Sequence, residues 1–256
     1  MEKRCFEFVG AGRVVRILLQ GFKNRGYEPE VRVYDVNEEV SRRLGEDFSN
    51  VKVLSSIDEI EGKDIVCLAV HPPAMAEVLE KLSGKLGNNV TVISLAPKFT
   101  IKKISSALGV KKVMRMIPTA TSFINRGYNP VAFAPDFPED EKGSLKGIFS
   151  LLGQVVEVEE RKLEAYAIVS AMLPTYFYFQ WETIEELGVK MGLDRDEAKR
   201  AVGETLKAAV DMFYDEKLDR ELVKDLIPVK PLKDKEEVIR KIYEETLLKL
   251  FKKISP

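Results

Sequence analysis

Histidine and cysteine are almost missing from this chain of 256 residues, which has one His and two Cys. His71, Cys5 and Cys67 cannot furnish a His/Cys zinc set, and no carboxylate cluster has calcium-loop spacing, so no metal is expected. Both cysteines sit inside strand-like apolar runs and read as small buried hydrophobes, not as a disulfide framework. An excess of one charge is also missing, because 40 Lys+Arg face 41 Asp+Glu for a net charge of −1. Without a basic footprint, nucleic acid is not an expected partner. No apolar run approaches the roughly 20 residues of a membrane-spanning helix. The start MEKRCFEFVG passes from charges directly into a strand-like run with no signal-peptide core, so a cytoplasmic protein with no membrane partner is expected. Glutamine is scarce too, at three positions (Gln20, Gln154, Gln180), and with the abundant Lys, Arg and Glu this leans toward a thermophile composition. That bias does not bear on function.

What is present is a 45% hydrophobic chain, enough to bury a large core, so the fold is globular rather than disordered. The pattern has two grains. Up to about residue 158, short apolar runs at 4–9, 31–35, 64–69, 90–94, 112–117, 130–134 and 154–158 have the continuous character of strands buried on both faces. Amphipathic stretches at 12–26, 37–47, 73–83, 101–108 and 139–152 lie between them. Such alternation predicts an α/β fold with a doubly wound, parallel Rossmann sheet. From 159 onward the pattern is helical, which divides the chain into a dinucleotide-binding domain, 1–158, and a helical domain, 159–256. No internal repeat or low-complexity tract interrupts either.

In the second domain one helical stretch runs from about 160 to 191, broken by Pro174, and another from 194 to 214. Ala165, Ile168, Val169 and Met172, then Phe177, Phe179, Trp181, Ile184 and Leu187, cover more than one face of the first. A helix apolar on most sides must be covered, and a homodimer is the economical cover. A last amphipathic segment, 233–253, is expected to turn Val238, Ile242, Leu248 and Phe251 inward.

The sharpest local signal is Gly10-Ala11-Gly12-Arg13-Val14-Val15, which follows a strand and opens a helix. Two glycines allow a tight turn and close approach of backbone to a pyrophosphate, while the helix N-terminus favours the anion. Val15 stands at the third glycine position of the dinucleotide fingerprint. Asp35 ends the second strand, 23 residues after Gly12, where a carboxylate accepts hydrogen bonds from the adenine ribose. Its charge opposes a 2′-phosphate, so NAD is expected over NADP, with Arg13, Arg32 and Arg42 as the groups able to counteract it. An ordinary βα turn and an Asp near a helix cap are the structural alternatives.

Beyond this turn, FVGAGRVV, CLAVHPPAM, SLAPKFTIKKISSALG, VMRMIPTATSFINRGYNPVAF and LLGQVVEVEERKLEAYAIVSAMLPTYFYFQWETIEELGVKMGLDRDEA occur in order over about 220 residues. In this order and spacing the chain resembles the pyrroline-5-carboxylate reductases. The resemblance implies an N-terminal Rossmann domain, a helical C-terminal domain that intertwines with its twin, and hydride transfer from NAD(P)H to a cyclic imine, giving proline. It also implies cofactor contacts from Gly10, Ala11, Gly12, Arg13, Val14 and Asp35. Further contacts follow from Val70, His71 and Pro72, where the family's Ala-x-Lys-Pro becomes Ala69-Val70-His71-Pro72, and from Thr119, where Met-Pro-Asn-Thr-Pro becomes Ile117-Pro118-Thr119-Ala120-Thr121.

The substrate region departs further from the family. Ser-Gly-Ser-Gly-Pro-Ala-Tyr becomes Ser170-Ala171-Met172-Leu173-Pro174-Thr175-Tyr176, which keeps the first serine, the proline and the tyrosine. Ser170 and Thr175 are the candidate catalytic, substrate-facing hydroxyls, because Pro174 breaks the helix and leaves polar backbone at the bend. The family's Ser-Pro-Gly-Gly-Thr-Thr, which cradles the substrate carboxylate, becomes Ile227-Pro228-Val229-Lys230-Pro231-Leu232. Losing two or three charge-assisted donors, each worth about 1.5–3 kcal/mol, costs at least about tenfold in binding. Turnover of pyrroline-5-carboxylate is therefore expected to be weak or absent unless other donors replace the cradle. Reduction of a protonated imine needs orientation more than acid catalysis, since the iminium is already electrophilic. A carbonyl substrate would need a proton donor, and residues 165–185 contain no lysine to supply one. A β-hydroxyacid-type dehydrogenase and a dinucleotide-binding protein without turnover remain the alternatives.

Overall fold

The computed structural model describes residues 4–256; residues 1–3, on which part of the leader reading rests, lie outside the described residues. The chain divides into two compact units, one reaching to Ala171 and including Phe251–Pro256, the other being Met172–Leu250.

The first unit is built on one eight-stranded sheet. In chain order its elements are β1 (Cys5–Val9), α1 (Arg13–Asn24), β2 (Glu30–Tyr34), α2 (Glu38–Asp47), β3 (Val51–Val53), β4 (Ile65–Leu68), α3 (Pro72–Leu82), β5 (Thr91–Ser94), α4 (Ile101–Leu108), β6 (Val113–Met116), β7 (Gly127–Phe133), α5 (Glu139–Ser150), β8 (Gly153–Glu157) and α6 (Leu163–Tyr166). The strand order β3-β2-β1-β4-β5-β6-β7-β8 reverses between β1 and β4. That reversal opens the crevice in which α/β sheets take their ligands, outside the carboxyl ends of the strands.

The helices form where their apolar residues recur at helical spacing. Val15, Leu18, Leu19 and Phe22 line the buried side of α1, and Phe22 meets Phe6 of β1 and Phe149 of α5 at ring distances of 6.0 and 6.1 Å. Caps fix the starts. The Asn37 side chain accepts from Glu39 N–H at α2, and Thr100 accepts from Lys103 N–H at α4. Each satisfies a backbone donor that the helix itself cannot.

Two features differ from the sequence expectation. A three-residue edge strand, β3, is present, and the sheet is not wholly parallel, because β6 and β7 pair antiparallel. The link between them, residues 117–126, carries only a 3-10 turn at Ala120–Ile124. A parallel return needs a crossover of a dozen or more residues, usually helical, which this link lacks.

Charged residues inside the first unit are paired. Glu7 and Arg32 are cross-strand neighbours on β1 and β2 and meet at 2.9 Å in the core. Glu7 also accepts from the backbone N–H groups of Glu61, Gly62 and Lys63. Arg115 on β6 meets Glu164 of α6 at 2.5 Å and Glu160 at 3.0 Å. A buried charge without such partners would be expensive.

The second unit contains α7 (Tyr178–Lys190), α8 (Arg195–Tyr214), α9 (Arg220–Asp225) and most of α10 (Glu236–Ile254). Asp194 and Glu197 form a capping box at the start of α8. α7 and α8 close on each other where a Cβ at Gly188 would stand 3.2 Å from Ala198 Cβ. Within this unit only Gly188, Ala198 and Val223 are buried. Val238, Ile242 and Leu248, expected to face inward, are exposed instead; a single copy offers α10 no apolar face to cover them.

Among the described residues no helix is long and apolar enough to cross a membrane, and no three His, Cys, Asp or Glu side chains are grouped to hold a metal. Burial pushes the Cys5 thiol up to about 12, with Glu30 and Glu7 adding to the effect. Burial alone pushes Cys67 up strongly.

Candidate cofactor and active site

The turn between β1 and α1 is built from two glycines with different duties. Gly10 has φ +104, and a Cβ there would lie 2.6 Å from the Ala69 carbonyl oxygen at the end of β4. Only glycine fits that conformation and that approach. Gly12 is different, with an extended φ of −71 and nothing within 4 Å of its would-be Cβ. Neither backbone strain nor packing within the chain calls for glycine at Gly12, so the space it leaves open suits a ligand rather than a neighbour. Gly12 is also the N-cap of α1, makes no side-chain cap, and leaves the amides of the first turn, at Arg13 and Val14, available to an anion. Gly12 and Arg13 are exposed, and Val14 is half-buried.

Val15, at the third glycine position, is fully buried under the sheet. Close helix approach falls instead on Gly21, where a Cβ would stand 2.6 Å from the Ser122 carbonyl oxygen. The sequence reading missed this role of Gly21.

Asp35 sits just beyond β2. Its Oδ2 accepts from Ala11 N–H at 2.7 Å and its Oδ1 from Asn37 N–H at 2.9 Å. Both oxygens keep lone pairs for further donors. Next to it, Val36, Asn37, Glu38, Glu39 and Arg42 line a groove of about 890 Å³. Arg42 and Arg43 hydrogen-bond Glu39 and hold its carboxyl below the usual range, so it stays charged. Arg42 itself is committed to Glu39 and Glu46.

Across the strand-order reversal, Val9 pairs with Leu68 and Leu68 with Ser94, so the segments after β1, β4 and β5 leave the sheet along one edge. Val70 and Pro72 are half-buried there, and His71 is exposed at the N-cap of α3 with no side-chain cap bond. The segment after β5, Leu95–Thr100, contains Lys98 at φ 76, a left-handed conformation carrying a full side chain.

Thr119, expected at the cofactor, lies in the link between β6 and β7. It is 4% exposed, and its hydroxyl accepts from Tyr128 N–H and pairs with the Thr121 hydroxyl. Thr119 thus ties the short β6–β7 link, and its hydroxyl is engaged in doing so.

The α-helix α6 ends at Tyr166, and the chain around Pro174, which lacks a backbone donor, is not α-helical. A π-turn occupies Ala167–Ala171, a 3-10 turn Leu173–Tyr176, and α7 begins at Tyr178. Ser170 is half-buried in the π-turn of the first unit. Thr175 belongs to the second unit, is exposed, and donates its hydroxyl to the Met172 carbonyl oxygen at 2.7 Å. Ile227-Pro228-Val229-Lys230-Pro231-Leu232 is exposed throughout, as an irregular segment leading into a turn.

Residues 6–98 match a family described as NADP oxidoreductase coenzyme F420-dependent. Residues 160–228 match the pyrroline-5-carboxylate reductase dimerisation family. A pyrroline-5-carboxylate reductase of Corynebacterium melassecola is 26% identical over 210 residues, covering 80% of this chain and 78% of its own length. Over most of its length, therefore, the chain is similar to the pyrroline-5-carboxylate reductases. Another such relative, pyrroline-5-carboxylate reductase 2 of Bacillus subtilis, is 27% identical and covers 84% of this chain and 80% of its own. In fold, the chain is similar to the NADP-bound pyrroline carboxylate reductase of Plasmodium falciparum, with a TM-score of 0.81 at 21% identity, covering 99% of this chain and 96% of that one.

The sequence reading also missed the ionic group of buried Arg115 and Glu164 with half-buried Glu160, which anchors the segment after β5. Its signal was present, since Arg115 interrupts an otherwise apolar strand, VMRM.

Proposed function

We propose that this chain is an NAD(P)H-dependent reductase of a cyclic imine of the pyrroline-5-carboxylate type, acting as a cytoplasmic homodimer. The observation that carries the cofactor half is the open space at Gly12, beside a helix N-terminus and a carboxylate already held at Asp35. The bound dinucleotide supplies the hydride. The chain's own residues bind and orient. Gly10, Ala11, Gly12, Arg13 and Val14 take the pyrophosphate, Asp35 the adenine ribose, and Val70, His71 and Pro72 the far side of the crevice. Ser170 and Thr175, where Pro174 breaks the helix, are the polar groups assigned to the substrate. Residues 1–158 form the dinucleotide domain and 159–256 the helical one, whose uncovered apolar side chains and family match support pairing of two copies.

The cofactor is NADH by preference. A 2′-phosphate would approach Asp35, Glu38 and Glu39, and Arg42, which lines the same groove, is already committed to two carboxylates. Titration of the full chain should give a tighter dissociation constant for NADH by about tenfold, equal to 1.4 kcal/mol; tighter NADPH binding overturns this preference. NADH oxidation with a panel of cyclic imines and 2-keto acids tests the reaction. Turnover confined to imines is expected. Turnover of keto acids alone, or none with the dinucleotide bound, rejects it.

A further inference from the structure

Only two residues other than glycine have positive φ among the described residues, Lys98 (φ 76) and Asn125 (φ 59). Asn125 is an ordinary occupant of that region, since asparagine adopts it readily, and its amide is bonded to the Gly21 and Leu151 carbonyl oxygens. Lys98 has no such local reason. A lysine gains nothing from the left-handed region, and such strain persists only where the surroundings over-determine it, as at functional sites.

The surroundings here do over-determine it. Lys98 N–H donates to Glu164 Oε1 at 3.1 Å, and Ile101 N–H donates to Glu160 Oε1 at 2.6 Å. Both carboxylates are held by the one buried guanidinium of Arg115. Pro97, the residue just before Lys98, has its own φ fixed by its ring. Lys98 and Ile101 are thus tied to one ionic group, and the Lys98 side chain is left exposed. No carboxylate lies within ion-pair distance of its ammonium among the described residues. This edge continues the ends of β1 and β4, on the side of the reversal away from Asp35.

We infer that the Lys98 ammonium receives the carboxylate of the cyclic imine substrate, in place of the glycine and threonine donors missing from 227–232. The inference rests on the proposed imine reduction. An ammonium is a point charge with three donors, suited to a carboxylate whose approach direction is not fixed by a backbone cradle. The Arg115–Glu160–Glu164 group acts as its positioning element.

The test uses the full chain loaded with NADH and compares pyrroline-5-carboxylate with 1-pyrroline, the same ring without the carboxylate. Lys98→Met should raise KM for pyrroline-5-carboxylate by about tenfold or more, as loss of a charge-assisted donor does. It should leave 1-pyrroline turnover, NADH affinity and the melting temperature unchanged, and Lys98→Arg should restore most of the lost affinity. An unchanged KM in Lys98→Met, or an equal loss on both imines, overturns the inference. Calorimetric binding of pyrrole-2-carboxylate separates it from the reaction on which it rests. Lys98-dependent binding to a protein that reduces no imine retains carboxylate recognition and rejects the reaction. Imine turnover with binding that is absent, or insensitive to Lys98, rejects carboxylate recognition and retains the reaction.

Discussion

The sheet unit and the helical unit draw on similar side chains and use them in opposite ways. In the first, β1, β4, β5 and β6 are buried at every position. In the second, three residues are buried, and Phe179 at 62% and Met191 at 78% exposure are typical of what is left outside. A helix set with so little interior cannot hold itself together by burial, the dominant stabilising term. The sheet unit therefore has an interior of its own, and the helical unit leaves its apolar side chains uncovered, which is what the proposed pairing of two copies requires. In that proposal, cofactor binding belongs to the first unit and assembly to the second.

The most severe way to break that contrast is to charge the exposed face. Phe179→Asp with Ile184→Asp removes two large apolar side chains per copy, about 6–12 kcal/mol over a pair of copies. Light scattering should show the mass falling from twice 29.0 kDa to once, with NADH binding retained. A wild-type protein that is already monomeric at micromolar concentration ends the comparison.

Next is the interior of the sheet unit. Arg115→Met leaves Glu164 buried without its cation, a loss of about 3–5 kcal/mol. Thermal melting should fall by about 6–20 °C, and Arg115→Met combined with Glu164→Leu should recover much of it. No change would mean that the pair is open to solvent. The two glycines give a finer contrast. Gly12→Val should weaken NADH binding about a hundredfold with melting unchanged, because in the proposed site it fills space left for the ligand. Gly10→Ala should cost about 1–3 kcal/mol of stability through its φ and the clash with Ala69. Equal effects on both properties in both variants would erase the distinction between access and packing.

The thiols give the smallest effect. At pH 8 the native protein should resist alkylation at Cys5 and Cys67, reacting only as fast as the sheet opens. Because the folded thiols ionise above their unfolded values, the stability they contribute is complete below about pH 8.5 and declines as pH rises toward 12. Melting temperatures between pH 7 and 10 check the sign, and a rise in that interval contradicts it.

How much of this was legible depended on range along the chain. The strand runs at 64–69 and 90–94 and the helix at 101–108 could be read locally, because burial on both faces and the 3.6-residue period are local patterns. The placing of Gly10 and Gly12 in the turn before α1 and of Asp35 just after β2 was legible for the same reason. β3 was not, being three residues at an edge with two exposed, and α9 was not, with six. The antiparallel turn of β7 was hidden because apolar content does not encode strand direction. Glu160 and Glu164 lie 45 and 49 residues from Arg115, and no spacing rule connects them. The left-handed Lys98 could not be foreseen either, since it is imposed on a residue type that does not ask for it.

The hydrogen bond from Ala11 N–H to Asp35 joins the phosphate turn to the end of the second strand before any ligand arrives. The disorder that a free turn would surrender on meeting a dinucleotide has already been removed at folding, which lowers the entropic cost of binding. Replacing Asp35 by alanine would thus do two things at once: remove the charge that opposes a 2′-phosphate, and release the turn that both cofactors need. NADPH would gain less than electrostatics alone implies, and NADH would lose more than one ribose contact. Asparagine at the same position, which keeps an acceptor for Ala11, would separate the two contributions.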